Sequence, residues 1–478
     1  MEFVLYILFL IINIFLTTFI LFVKNKECSS AKIRLTYVSG IITVAATFLY
    51  SIFFRNEEPL VPELIRTLSI LSVTAIGIML LGVFIKDLLG VEIYQDKRIK
   101  KNHPKVLINI LMVAIASRLV LYFIGYLYAV QTLNQHSGFV ECFDSLWNKW
   151  DSLHYLNIAQ NGYNSTGENA RLIVFYPLYP LLVSILSKIV KNSLLASVIV
   201  SDLSLGVGCY YLYKLVQIDF DNSTAMRSIK YLLIYPMSVF FGIAYTESIF
   251  IALSIMTLYY LRKEKWFAAG LCGFFAALTK NQGIILFAPA VLEYIISNRV
   301  YQKLRDRKFM NILKDFISKG IYVFLIPLGF FVYLSINKVI YGSWNKFLVY
   351  QKEGWENEFG NMFNNLKRIA ESAINPEDIF RVTYWIPCII SFLLVVFLIF
   401  YSIGRMRLSY SVYMLLFMIV SFSPSWLLSG SRYISSLVPI YIGISVFTKR
   451  KWLDMVVTYT SILLLGFYTL EFLRGMLL

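Results

Sequence analysis

Apolar stretches of about 20 residues recur along the whole chain and are separated by short polar segments. An apolar stretch of that length crosses the hydrocarbon of a bilayer as an α-helix. We place roughly 14 spans, so the pattern predicts an all-α polytopic membrane protein. Their approximate ranges are 3–23, 35–54, 64–85, 106–130, 194–215, 229–244, 248–261, 267–279, 283–296, 320–341, 384–403, 409–428, 433–447 and 453–472.

The charged segments predict how the spans are oriented. The net charge is +16, and basic residues gather in short loops such as 97–105 and 299–319. The positive-inside rule assigns such loops to the cytoplasm, which explains the charge without nucleic-acid binding. The loops 131–171 and 342–381 then lie outside. The apolar piece 175–190 begins FYPLYP, and its two prolines favour a juxtamembrane or re-entrant helix on that side.

Composition agrees with this class and divides the chain only weakly. The chain is 58% hydrophobic and 15% charged, and its five cysteines show neither a disulfide framework nor metal-type spacing. We draw one boundary near residue 95. It separates a three-span unit of unknown role, 1–95, from a larger catalytic membrane domain, 96–478.

The segment from Trp150 to Tyr163, WDSLHYLNIAQNGY, is unusually polar for its surroundings. Asp151 and His154 are three residues apart and therefore share one side of a helix. The adjoining side is apolar, which is typical of a helix lying at the membrane surface. Alone, Asp151 is equally well explained as a helix cap, and His154 is better explained as a packed polar residue than as a catalyst.

Polar residues also interrupt the apolar helices at three later positions. Glu247 lies in YTES, Lys280 in TKNQG, and Arg432 in SGSRY, and the predicted topology puts all three on the side of Asp151. A charge near hydrocarbon is costly, so such groups are usually paired or functional. Each also has a structural explanation: Glu247 as a helix cap, Lys280 reaching the headgroups, and Arg432 anchoring a helix end.

Taken together, these residues predict transfer from a phosphate leaving group to a hydroxyl. The cations would hold the phosphate and stabilise its developing charge, and Asp151 would accept the hydroxyl proton. We name Asp151 and His154 as catalytic candidates. The candidate substrate- and phosphate-binding residues are Trp150, Arg171, Tyr176, Tyr179, Tyr245, Glu247, Lys280, Asn281, Gln282, Arg432 and Tyr433. A sugar on a polyprenyl phosphate is the donor that reaches an outer-face site.

Five blocks in order, WDSLHYLNIAQNGY, FYPLYP, YTES, KNQG and SRY, resemble the PIG-V family of glycosylphosphatidylinositol mannosyltransferases and its bacterial relatives. That family belongs to the GT-C class of membrane glycosyltransferases. The resemblance implies a GT-C fold and inverting mannosyl transfer, with Asp151 matching the acid of the first outer loop. The family usually has Arg where this chain has Lys280, which weakens any bidentate phosphate contact.

The resemblance leaves several points open. It implies a polyprenyl-phosphate sugar donor and a glycolipid or cell-envelope glycan acceptor, in contact with membrane lipids. It identifies no definite cofactor and leaves a divalent metal as an alternative. A skew to Ile, Lys, Asn and Tyr suggests an AT-rich bacterial genome, hence the bacterial cytoplasmic membrane with an extracytoplasmic site. A transporter or flippase of lipid-linked sugars is the alternative class, and a protein O-mannosyltransferase-like enzyme is the alternative within GT-C.

Overall fold

The computed structural model describes residues 104–132, 139–425 and 427–477. The first three predicted spans and the boundary near residue 95 lie outside this part. The described residues are helical, with one isolated bridge between Phe359 and Pro424. The predicted all-α fold is confirmed.

Nineteen α-helices are described, joined by short 3-10 turns and one π-helical turn. In chain order they are α1 Pro104–Thr132, α2 Phe139–Trp147, α3 Asp151–Asn161, α4 Leu178–Val190, α5 Ser193–Asp219, α6 Asn222–Ile234, α7 Glu247–Arg262, α8 Trp266–Ala277, α9 Phe287–Ser297, α10 Val300–Arg305, α11 Phe309–Ser318, α12 Leu325–Tyr341, α13 Lys346–Trp355, α14 Met362–Ile374, α15 Ile386–Ser402, α16 Leu408–Phe422, α17 Gly430–Ser435, α18 Pro439–Phe447 and α19 Lys451–Leu473. The 3-10 turns are Glu168–Val174, Ser238–Phe241, Asn281–Leu286 and Gly320–Phe324, and the π-helical turn is Arg381–Trp385.

Within the described ranges, five segments are long and apolar enough to cross a membrane by themselves. They are Val106–Val130, Ser193–Asp219, Gly320–Tyr341, Arg381–Ser402 and Lys451–Leu473. The 3-10 turn Glu168–Val174 and α4 together would add a sixth, but they are bent by 113°. That bend agrees with the non-straight helix predicted from FYPLYP. The predicted total of about 14 spans is not confirmed.

Proline explains two differences between predicted and observed helices. The predicted span 229–244 is interrupted, because α6 ends at Ile234 just before Tyr235 and Pro236. The predicted span 433–447 is likewise divided into α17 and α18, and α18 begins at Pro439. A proline ring excludes the helical hydrogen bond of its own nitrogen and disfavours a helical residue before it. Both interruptions place polar chain segments within the apolar bundle.

Helix α7 carries a buried charge at each end. Glu247 is its first residue, and Arg262, its last, binds Asp219 of α5 through two contacts of 2.5 and 2.8 Å. Close to Arg262, Arg407 binds Glu293 of α9 in the same two-pronged manner, with contacts of 3.0–3.3 Å. Sixteen residues of α-helix span about 24 Å. The cluster around Arg262 therefore fixes the end of the bundle opposite to Glu247.

Candidate active site

Four charged side chains from distant parts of the chain meet at one end of the bundle. Asp151 is the first residue of α3, Glu247 the first of α7, Lys280 precedes the turn Asn281–Leu286, and Arg432 lies in α17. Arg432 is 281 residues from Asp151 in sequence. All four residues lie at helix starts or in turns. At these positions the chain departs from regular helix, and a polar side chain has less apolar surroundings than it would have along a buried helix. We call this set the charged cluster.

The carboxylate of Asp151 binds Arg432 instead of its own helix. An Nη of Arg432 donates to an Oδ of Asp151 over 2.7 Å. Trp150 occupies the N-cap position with φ 55°, a left-handed conformation that costs a residue with a Cβ on the order of 1–3 kcal/mol. Asp151 therefore does not cap α3, and the strained residue before it sets the direction in which its carboxylate leaves the backbone.

Glu247 links the two cations of the cluster. Its Oε1 accepts from the Lys280 ammonium over 2.7 Å and lies 3.6 Å from Nε of Arg432. Its Oε2 is buried and has no hydrogen-bond partner among the residues described. Burial lowers the pKa of Lys280, while Glu247 acts in the opposite direction. The order Asp151, Arg432, Glu247, Lys280 alternates in sign, so the cluster carries no net charge.

Three of the four side chains in the cluster are almost fully buried, while that of Asp151 is 24% exposed. Glu247 is 1% exposed, Arg432 7% and Lys280 9%. Each ion buried in a protein costs several kcal/mol of desolvation, which pairing only partly offsets. A buried ion network is therefore weak evidence for stability, and its charged groups are candidates for a function.

Aromatic rings surround the guanidinium of Arg432. Its carbon lies 5.0 Å from the ring centre of Tyr245, 5.4 Å from Phe240 and 5.6 Å from Tyr433. The ammonium of Lys280 lies 5.1 Å from the Tyr433 ring. Aromatic faces attract cations most strongly where water is excluded. Tyr245 and Tyr433, both predicted site residues, thus hold the two cations by their rings.

His154 lies beside the cluster without joining it. Its ring packs 4.9 Å from Phe175 and 6.2 Å from Trp355, between centroids. Burial lowers the pKa of His154 below its usual value, with Asp151 acting in the opposite direction. The imidazole is therefore neutral at pH 7, and its packing favours the interpretation as a packed polar residue.

Three further predicted residues are buried near the cluster. Tyr176 stacks on Tyr333 at 4.0 Å, and Tyr179 places its hydroxyl 3.0 Å from that of Ser201. Gln282 is 2% exposed, and its Oε1 has no hydrogen-bond partner within the described part of the chain. Tyr179 is thus tied into the helix packing, whereas Gln282 keeps an unused buried acceptor.

The remaining predicted residues reach solvent. Arg171 and Asn281 are exposed, and Trp150 is 40% exposed. Arg171 lies on the turn Glu168–Val174 with its Cδ over Gly354 of α13. The KNQG turn itself requires its glycine, because a Cβ on Gly283 would lie 2.3 Å from the carbonyl oxygen of Ala276. That close approach brings Lys280 back toward α7.

The last turn of α19 packs against the site, which the sequence did not predict. Phe472 stacks on Trp147 at 5.9 Å and meets Phe240 edge to face at 5.8 Å. The ammonium of Lys149 also donates to the carbonyl oxygen of Leu473. These contacts brace the segment before Asp151 and the ring below Arg432. They involve apolar rings and a backbone carbonyl, so no polar anomaly in the sequence points to them.

The donor set fits a metal poorly. In the ranges that the structure covers, no three His, Cys, Asp or Glu side chains lie close enough to hold an ion. The two carboxylates of the cluster already bind Arg432 and Lys280. A divalent ion would therefore compete with two cations that already neutralise these carboxylates.

Comparison with known proteins gives two sequence matches. Residues 176–313 match the family of dolichyl-phosphate-mannose-protein mannosyltransferases. The chain is also 29% identical over 143 residues to GPI mannosyltransferase 2 of Schizosaccharomyces pombe, a match that covers 29% of this chain and 30% of that protein. The chain therefore spans less than a third of the length of this curated relative.

Solved structures give a more distant likeness. The Archaeoglobus fulgidus oligosaccharyltransferase in complex with Zn and sulfate aligns over 75% of this chain and 53% of its own, at 10% identity and a TM-score of 0.39. The oligosaccharyltransferase AglB from Archaeoglobus fulgidus, in complex with an inhibitory peptide and a dolichol-phosphate, aligns over 78% of this chain and 56% of its own, at 11% identity and a TM-score of 0.39.

The family match contains Tyr176, Tyr245, Glu247 and Lys280, whereas Asp151 and Arg432 lie outside it. Half of the charged cluster therefore comes from the matched segment and half from the flanking sequence. The resemblance drawn from the motifs is confirmed as a similarity: part of the chain is similar to protein mannosyltransferases and to a GPI mannosyltransferase.

Proposed function

We propose that the protein is a glycosyltransferase that moves a mannosyl group from a polyprenyl phosphate to a hydroxyl of a lipid-linked or cell-envelope glycan. The observation that carries this proposal is the charged cluster, in which the carboxylate of Asp151 is held directly against the guanidinium of Arg432. A base beside a phosphate-binding cation is what transfer from a phosphate leaving group requires.

The cations can bind a phosphate without releasing their carboxylates. A guanidinium has five N–H donors and an ammonium has three. Among the described groups, one Nη of Arg432 is used by Asp151, while its Nε has no hydrogen-bond partner. Lys280 uses one donor on Glu247. The remaining donors suit a phosphate diester, whose oxygens become more negative as the sugar departs.

The reaction then balances as a single displacement. The acceptor oxygen forms a bond to C1 of the sugar as the bond between C1 and the phosphate oxygen breaks. The acceptor proton passes to the carboxylate of Asp151, and the polyprenyl phosphate leaves with both electrons of the broken bond. Attack from the face opposite to the phosphate inverts the configuration at C1. Glu247 holds the cations in place and takes no proton in this scheme, and no step is assigned to a metal.

The acceptor is the least constrained part of the proposal. The exposed indole of Trp150, next to Asp151, is suited to stack on a sugar ring. One observation favours a protein acceptor instead, since the matched family is named for protein mannosyltransferases. Both acceptors present a hydroxyl to the same base, so the chemistry at Asp151 is common to both.

The direct test is transfer by the purified full-length chain in vesicles. We expect labelled mannose to move from polyprenyl-phosphate-mannose to extracted envelope glycolipids, with inverted anomeric configuration. A serine-containing peptide tests the protein acceptor in parallel. Movement of intact donor between leaflets without any transfer product would instead support a flippase and overturn the proposal.

We also propose that the charged cluster faces the outside of the cytoplasmic membrane of a bacterium. Ser165 follows α3 and is exposed, while Asn311 in α11 is exposed at the opposite end of the bundle. In a background without native cysteines, Ser165→Cys is expected to react with an impermeant maleimide from outside, and Asn311→Cys only after the membrane is opened. The reverse pattern would refute this orientation.

A further inference from the structure

Helices α10 and α11 form a small hairpin at the end of the bundle opposite to the charged cluster. Helix α9 begins directly after the turn that follows Lys280 and ends at Ser297. It contains Glu293, which binds Arg407. The chain returns to the bundle at the turn Gly320–Phe324, which leads into α12. Both ends of the hairpin are therefore fixed to apolar helices. We call residues 299–319 the basic hairpin.

One side of α11 is apolar and exposed. Phe309, Met310, Leu313 and Ile317 are between 51% and 76% exposed. Their spacing puts them on one face of the helix. The neighbouring Phe316 packs the helix itself against the bundle, with its ring 6.0 Å from Phe324 and 6.5 Å from Tyr294. An apolar helix face at the end of membrane-spanning helices is the geometry of an interfacial helix.

The rest of the hairpin is strongly basic. Between residues 299 and 319 the chain has seven Lys or Arg and two Asp, a net charge of +5. Asp315 pairs with Lys303, and Asp306 lies 3.8 Å from Arg305 and 3.5 Å from Lys308. The other cations have no carboxylate partner in the described part of the chain. They are Arg299, Arg307, Lys314 and Lys319.

We propose that the basic hairpin is a binding surface for the headgroups of acidic phospholipids in the leaflet opposite to the charged cluster. The apolar face sets the depth of the hairpin, and the unpaired cations then lie at the level of the lipid phosphates. Charge complementarity identifies the occupant: a surface of net charge +5 beside an apolar face matches an anionic lipid layer. This inference does not depend on the proposed transferase activity.

The test compares lipid selectivity of the full-length chain in phosphatidylcholine vesicles. We measure association of spin-labelled phosphatidylglycerol against spin-labelled phosphatidylcholine. Wild-type protein is expected to prefer phosphatidylglycerol, less so in high salt. The combined change Arg299→Gln, Arg307→Gln and Lys314→Gln, three exposed cations without a carboxylate partner among the described residues, is expected to lower that preference at least about fivefold, since one surface cation is worth about that factor.

A matched control separates the hairpin from general leaflet electrostatics. Lys449, Arg450 and Lys451 are three exposed cations at the same end of the bundle, at the start of α19 and outside the basic hairpin. Changing all three to Gln is expected to leave most of the preference intact. An equal loss in this control, or no preference in the wild type, overturns the proposal.

A second measurement tests the apolar face. In a background without native cysteines, Met310→Cys is expected to resist an aqueous maleimide at least tenfold better than Asn311→Cys in opened vesicles, since lipid excludes the charged reagent. Equal labelling of the two positions would show that the face is open to water and available to a soluble protein partner. That result would contradict binding to the lipid surface.

Discussion

Replacing Asp151 by Asn is expected to lower turnover by about 10²–10⁴-fold while leaving the protein folded and inserted. The substitution keeps the size of the side chain and removes its ability to accept a proton. The amide oxygen still accepts a hydrogen bond from Arg432, so the 2.7 Å contact has a neutral replacement. The expected loss is therefore in the chemical step. Donor affinity is expected to change much less.

The control for this experiment is Asp144→Asn. Asp144 is exposed on α2, seven residues before Asp151, and among the residues that the structure describes its carboxylate accepts only a long contact from Asn148 at 3.3 Å. Both variants replace a carboxylate by an amide, and both lie in the predicted outer loop 131–171. Asp144 differs from Asp151 in that no described cation binds its carboxylate. Turnover near the wild-type value in Asp144→Asn and a large loss in Asp151→Asn would assign the base to Asp151. Near-normal turnover in Asp151→Asn would instead make Glu247 the first residue to examine as the base.

The elements of the site were predictable because each departs from its surroundings. Asp151, Glu247, Lys280 and Arg432 are charged residues in apolar sequence, and the positive-inside rule alone was enough to group them on one side. Their pairing was not predictable. Sequence distance says nothing about which cation meets which acid, and Arg432 finds Asp151 across 281 positions.

The helix pattern was predictable to a similar extent. The length of an apolar stretch predicts a helix, but its hydropathy does not show where a proline ends that helix. Ranges such as 229–244 therefore read as one span, although Pro236 divides the chain there. The aromatic support was hidden for a different reason. Phe240 and Phe472 are apolar residues in an apolar chain, and only the folded arrangement places them against Tyr245 and Trp147.

Arg432 is the second residue whose replacement is expected to have a large effect. Arg432→Ala removes the guanidinium that contacts Asp151 and Glu247 and leaves both carboxylates without it. Loss of one group that stabilises transition-state charge typically lowers kcat by about 10²–10³-fold. Arg432→Lys restores a charge but not the planar fork, so we expect it to recover only part of that loss.

A buried ion pair lost anywhere also destabilises a protein, by about 3–5 kcal/mol, so a matched structural pair is needed to interpret the result. Arg407 and Glu293 provide it, since Arg407 binds a carboxylate that is 1% exposed at the other end of the bundle. Arg407→Ala is expected to lower the unfolding temperature as much as Arg432→Ala does. Its turnover per folded molecule is expected to stay within about threefold of wild type, well inside one decade of rate. If the two variants lose turnover equally, Arg432 serves only the fold. If only Arg432→Ala loses turnover, and Lys at this position restores part of it, the guanidinium acts on the departing phosphate.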